Sequence, residues 1–126
     1  MTAPTAPDLL TDAQYLSLTA AVLASVEATV DRWLQDDVVD IDTQRTGGLL
    51  ELSFPNGSKI ILNTQPPLHE VWMAARSGGF HYKHVAGRWL DTRDAREFFE
   101  ALSACASEQA GLALRFVPPA GLDRDA

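Results

Sequence analysis

An Asn-Gly pair at 56–57, followed by an in–out alternation and then a double proline, constrains this chain more than any other stretch. Asn-Gly readily takes the positive φ of a tight hairpin, so the chain reverses there. Ile60 and Leu62 then fall on one face of a strand, and Lys59, Ile61, Asn63 and Gln65 on the other. Pro66 and Pro67 end that strand, because neither can donate a backbone N–H to a ladder. A short apolar segment at 71–75 resumes the sheet and carries Trp72. One face of this sheet must close a core. The other presents amides, a lysine and an indole outward.

Helical spacing of Tyr15, Leu18, Val22, Val26, Val30 and Trp33 predicts a helix over 11–34, with Thr11 or Asp12 as N-cap. Glu27 and Asp31 lie one turn apart, roughly opposite that stripe. Like charges at this spacing cost a helix ~0.2–0.5 kcal/mol, and the helix C-terminus prefers cations. Local rules are broken more often at functional sites, although for this pair alone a solvated face is the more ordinary explanation. The acidic run 35–42 continues the line, and a strand beginning near Asp40 would point Asp40 and Asp42 to one side. The spacing of Asp40, Asp42, Gln44 and Glu51 imitates a calcium loop. It fails at Arg45, where such a loop needs glycine, and a strand rather than a helix follows.

Beyond Gly47-Gly48 come strands at 49–54, 59–65 and 71–75, a turn at 77–79, and a hairpin of 80–84 with 88–91 around Ala86-Gly87. Asp94 is the expected N-cap of a second helix over 95–110, ended by Gly111, and 112–117 should pack back on the helices. Residues 1–10 read as a flexible arm, 11–117 as a single domain, and 118–126 as a disordered tail. Two helices on one face of an antiparallel sheet of about five to six strands make a two-layer α+β sandwich.

Composition matters for where the charge lies. The net charge is −7, and residues 8–42 hold eight acids against one base, while the rest of the chain balances. Nucleic acid and anionic membrane are therefore poor partners, and no uninterrupted apolar run approaches the ~18–20 residues of a membrane span. The single Cys105 leaves no internal disulfide and fits a reducing compartment. The opening MTAPTAPD has neither the charged and apolar regions of a secretory signal nor the arginines of a transit peptide, so a cytoplasmic location is expected.

The chemistry on offer is hard oxygen. Exposed carboxylates without a cage suit hard or borderline cations, iron in both common oxidation states among them, bind them weakly and exchange them fast. No nucleophile–histidine pairing or phosphate loop is recognisable, so no enzymatic activity is expected. His69, His81 and His84 are scattered, with His81 and His84 on opposite strand faces, although one of them could still supply a metal ligand. Trp72 is of a type enriched at interface hot spots. Strand parity alone leaves it open whether Trp72 is an interface residue or half-buried in the sheet.

The run GGLLELSFPNGSKIILNTQPPLHEVWMAARSGGFHY, followed by GRWLDTRDAREFF, resembles the frataxin family, particularly its bacterial branch. The resemblance spans residues 11–111. It implies a two-helix, one-sheet fold, weak iron (Fe2+/Fe3+) binding on an acidic ridge, and a role in iron–sulfur cluster assembly beside a cysteine desulfurase and a scaffold protein. Carried over by position, the ridge is Glu27, Asp31, Asp36, Asp40 and Asp42, with Asp37 in the same run. The partner-binding sheet face is Asn63, Gln65 and Trp72, to which the outward Lys59 is added. Arg32, Leu34 and Pro55 stand where bacterial relatives often carry acids, and Thr64 where a base is common, so this ridge is thinner. A monomer is expected. The alternatives are a stand-alone iron-oxidising or iron-storing protein that oligomerises with iron, and an acidic protein-binding module to which iron is incidental.

Overall fold

The reversal expected at Asn56-Gly57 is present. Gly57 has φ +87°, its N–H donates to the Phe54 carbonyl at 2.9 Å, and the Phe54 N–H donates to the Ser58 carbonyl at 2.8 Å. The computed structural model describes residues 6–119; positions 1–5 and 120–126, the remainder of the expected arm and tail, lie outside the described residues. The elements are α1 (Asp12–Gln35), β1 (Asp42–Thr46), β2 (Leu49–Ser53), β3 (Lys59–Gln65), a 3₁₀ turn (Pro66–Leu68), β4 (Glu70–Ala75), β5 (Gly78–Val85), β6 (Arg88–Asp91) and α2 (Phe98–Ala110). The six strands pair antiparallel in their order along the chain. With both helices on one face, this is the two-layer α+β sandwich that the sequence predicts.

Period-two patterning decides which face is covered. Leu50 and Leu52 pair in register with Leu62 and Ile60, and Val71 with Tyr82. All six are buried and meet Tyr15, Val22, Leu23, Val26 and Val30 of α1 and Phe98, Leu102, Cys105 and Ala106 of α2. By its length and composition α1 meets the criterion for a membrane span, which qualifies the expectation from uninterrupted runs. Its apolar stripe packed on the sheet, with a polar face opposite, is the pattern of a core helix.

Capping explains both helix starts. Thr11 closes a capping box with Gln14. The second helix begins at Phe98, three residues later than the sequence predicts, and its cap is Glu97 rather than Asp94. The Asp94 carboxylate instead accepts the Arg96 N–H at 3.0 Å, Ala95 takes a positive φ of 63°, and Glu97 bridges to Leu90. Only past that bridge is the backbone free to coil, with the Glu97 carboxylate accepting from Phe99 and Glu100 at 2.9 Å each. Likewise β1 starts at Asp42 rather than Asp40, and β5 at Gly78, inside the expected turn.

Both chain ends are tied as far as they are described. The Asp8 N–H donates to the His84 carbonyl at 2.7 Å, and its carboxylate accepts from Ala86 and Gly87 at 3.0 Å each. The expected arm is therefore anchored from Asp8 onward. Beyond α2, Leu114 and Phe116 are buried, and their N–H groups donate to the hydroxyls of Ser107 and Ser103 at 2.9 and 2.8 Å. Phe116 also lies against Trp33 of α1, with ring centroids 4.8 Å apart.

Candidate functional site

The acidic ridge forms where α1 ends and β1 begins. Asp31 is on the last turns of α1, Asp36 is its C-cap, Asp37 turns the chain with φ 57°, and Asp42 opens β1. All of these and Asp40 are exposed. Asp37 and Asp40, with Leu34 and Val39, line a hollow of about 120 Å³. Glu27 is different: its Oε1 is held by Arg45 Nη1 of β1 at 2.7 Å. Among the described residues no ion pair engages Asp31, Asp36, Asp37, Asp40 or Asp42, and no three carboxylate, histidine or cysteine groups converge on one point. The ridge is thus a row of separate carboxylates rather than a chelating cage. Such a row attracts cations over a Debye length and exchanges them readily.

Two acids of the same charged third lie elsewhere. Asp12 pairs with His69 Nε2 at 2.8 Å, and Asp8 with His84 Nδ1 at 2.8 Å. Both pairs flank an open hollow of about 730 Å³ near the start of α1, roughly 36 Å of helix away from the ridge. The acids of the charged third therefore divide between the two ends of α1, as the helix expected over 11–34 implies, whereas their pairing with His69 and His84 depends on tertiary structure and has no local signal. None of the three histidines joins the ridge.

The solvent-side face of the sheet carries the other set. Asn63 lies directly opposite Trp72, and Trp72 opposite His81, so the three form one row across β3, β4 and β5. Gln65, Glu70 and Lys83 form the next row. Asn63, Gln65 and Trp72 are thus brought together. Lys59 is not: it sits at the far end of β3, and its Nζ is held by Glu51 at 3.0 Å. Trp72 is half-buried. Its ring stacks on His81 with centroids 4.2 Å apart and planes 6° from parallel, and its Nε1–H donates to Glu70 Oε1 at 2.7 Å.

Residues that single-strand patterning passes over hold this face in place. The buried Tyr15 hydroxyl donates to the Glu70 carbonyl and accepts the Gln65 N–H at 3.0 Å. It thereby clamps β3 to β4 across the 3₁₀ turn, with His69 stacked on its ring at 4.7 Å. Gln109, 1% exposed, gives its amide to the Ser58 hydroxyl and the Lys59 carbonyl at 3.0 and 3.1 Å, while Asn56 Nδ2 donates to the Gln109 carbonyl at 2.6 Å. Its presence on the buried face of α2 is the one sequence cue, an amide among apolar neighbours.

Comparison with known proteins agrees with this architecture over nearly its full length. The family model of the frataxin-like domain matches residues 8–112. The iron-sulfur cluster assembly protein CyaY of Polaromonas sp. is 51% identical over 110 residues, covering 87% of this chain and 95% of that protein. The protein of the same name from Burkholderia mallei is 52% identical over 107 residues, covering 85% and 98%. Among solved structures, the frataxin of Psychromonas ingrahamii superposes with a TM-score of 0.77 at 32% identity, covering 86% of this chain and 99% of that one. With about half of the aligned residues shared with the two CyaY proteins, a family model matched over residues 8–112 and the fold shared with a solved frataxin, the chain belongs to the frataxin family.

Proposed function

We propose that this chain is an iron-binding accessory protein of iron–sulfur cluster assembly. In this reading it binds Fe2+ or Fe3+ weakly on the ridge formed by Asp31, Asp36, Asp37, Asp40 and Asp42, with Glu27 at its margin. It docks a cysteine desulfurase, with the scaffold protein alongside, through the ridge and the sheet face of Asn63, Gln65 and Trp72. It acts in the cytoplasm and modulates the partner's rate without turning over a substrate itself. The observation that carries the reading is the row of five exposed carboxylates with no cation partner among the described residues. The name borne by relatives at 51–52% identity supplies the pathway.

Glu27 already holds Arg45, so it contributes less to iron than the unpaired acids and more to joining α1 to β1. Carboxylates this exposed hold metal by charge and by oxygen donors alone, and a basic patch on a protein competes for the same surface. The test is an amide chemical-shift titration of labelled protein with ferrous iron, without oxygen. Broadening confined to residues 27–42 is expected. Broadening centred on His69, His81 or His84 would move the metal elsewhere, and no response at sub-millimolar iron would remove iron from the function.

A further inference from the structure

Glu70 is a carboxylate in an unusual place. It points to the solvent side of the sheet, between Gln65 of β3 and Lys83 of β5, yet it is only 8% exposed. Taking a charge out of water is tolerated only when each oxygen finds a partner. Both do. Oε2 is 3.1 Å from Lys83 Nζ, and Oε1 accepts the Trp72 indole N–H at 2.7 Å. Lys83 is fixed in turn by the Leu68 carbonyl at 3.1 Å. Burial by itself would raise the Glu70 pKa, but the indole N–H and Lys83 together hold it below the ordinary carboxylate value.

A cross-strand ion pair with Lys83 would explain Oε2 alone. It does not explain why the second oxygen takes the indole N–H, or why the His81 ring lies flat on the same indole with its Nδ1 3.8 Å from Oε1. Carboxylate and imidazole together fix the indole at its polar atom and on its ring face. With its N–H engaged and one ring face covered, the half-buried Trp72 has no free hydrogen-bonding atom on its side chain.

We infer that Glu70 is a positioning residue for the docking face: anchored by Lys83, its carboxylate sets the Trp72 indole in the orientation a protein partner meets and occupies the indole N–H. The inference rests on the reading of this face as a docking surface. A partner then meets ring surface rather than a hydrogen-bond donor, and association need not order the side chain.

The experiment compares Glu70→Ala, Glu70→Gln, Trp72→Ala and the Glu70→Ala/Trp72→Ala double variant. The readouts are binding to a purified bacterial cysteine desulfurase, the indole N–H resonance of Trp72, and melting. Glu70→Ala should shift that resonance upfield, speed its exchange with water and weaken binding about tenfold. It should add nothing in the Trp72→Ala background, since residues acting through one contact are not additive. Glu70→Gln keeps one acceptor oxygen for the indole but sets an amide NH2 against Lys83, so it should recover part of the binding. An unshifted resonance in Glu70→Ala, full additivity with Trp72→Ala, or a folded Glu70→Gln that binds no better than Glu70→Ala would each overturn the inference. Unchanged binding in Trp72→Ala alone would instead overturn the docking reading on which it rests.

Discussion

At single residues, the tightest constraint is steric. A Cβ on Gly48 would lie 2.0 Å from Thr64 Oγ1 and 3.3 Å from Thr64 Cβ, and the chains cannot part, because the Thr64 N–H donates to the Gly48 carbonyl at 2.9 Å. Gly48→Ala should cost about 1–3 kcal/mol in chemical denaturation, with Thr64→Ala in the same chain recovering most of it. The Asp8–His84 contact makes a second expectation. His84 is 7% exposed and its ring nitrogens make no aligned hydrogen bond. Burial pushes its pKa below the ordinary 6.5 more strongly than Asp8 pulls it up. Burial would raise the Asp8 pKa, yet the N–H groups of Gly87 and Ala86 and the charge of His84 hold it below 3.8. Both folded values lie below the unfolded ones, so the unfolded chain binds more protons and stability rises with pH. The His84 contribution is lost as pH falls from 6.5 toward its folded value, and that of Asp8 only below 3.8. Melting temperature should therefore fall between about pH 7.5 and 5.5, and fall less in His84→Gln.

At the level of elements, α1 does more than cover the sheet. Its Tyr15 hydroxyl serves both the Glu70 carbonyl and the Gln65 N–H, so Tyr15→Phe leaves a buried donor and acceptor unmatched. It should cost about 1–3 kcal/mol by denaturation while the helix itself remains. The helices and strands were legible in sequence because their signals are local: the Thr11 cap, the 3.6-residue stripe, the alternation through Ile60 and Leu62, and the Asn56-Gly57 turn. The start of α2 was not. Asp94 and Glu97 can each cap a helix, and the choice was made by the positive φ of Ala95 and by a bridge to Leu90 on another element. The site divides the same way. Alternation put Asn63 and Gln65 on one face, and the family resemblance added Trp72, which alternation along its own strand left open. The pairing of Glu27 with Arg45, the removal of Lys59 to Glu51 and the grip of Glu70 on the indole depend on neighbours in space, which spacing along one strand does not encode.

At the scale of the molecule, the ridge is a cost that folding tolerates. Asp31, Asp36 and Asp40 gather on one end with no neutralising partner among the described residues, so converting all three to Asn should leave the melting temperature unchanged or raise it while weakening ferrous iron binding in an anaerobic titration. A lower melting temperature would mean the acids serve the fold. The sheet has its own consequence for how the chain assembles. Because β1 to β6 pair only with their neighbours along the chain, each strand can add to the growing sheet as a hairpin, with little loop to close. The helix layer has no such shortcut. The apolar stripe of α1 stays partly uncovered until Phe98, Leu102 and finally Phe116 arrive to meet it and Trp33. On a ribosome, which releases residues in order, the sheet can be complete while the first helix is still waiting for the last segment to seal it. In the interval between those events the apolar stripe of α1 and the helix side of the sheet are only partly covered.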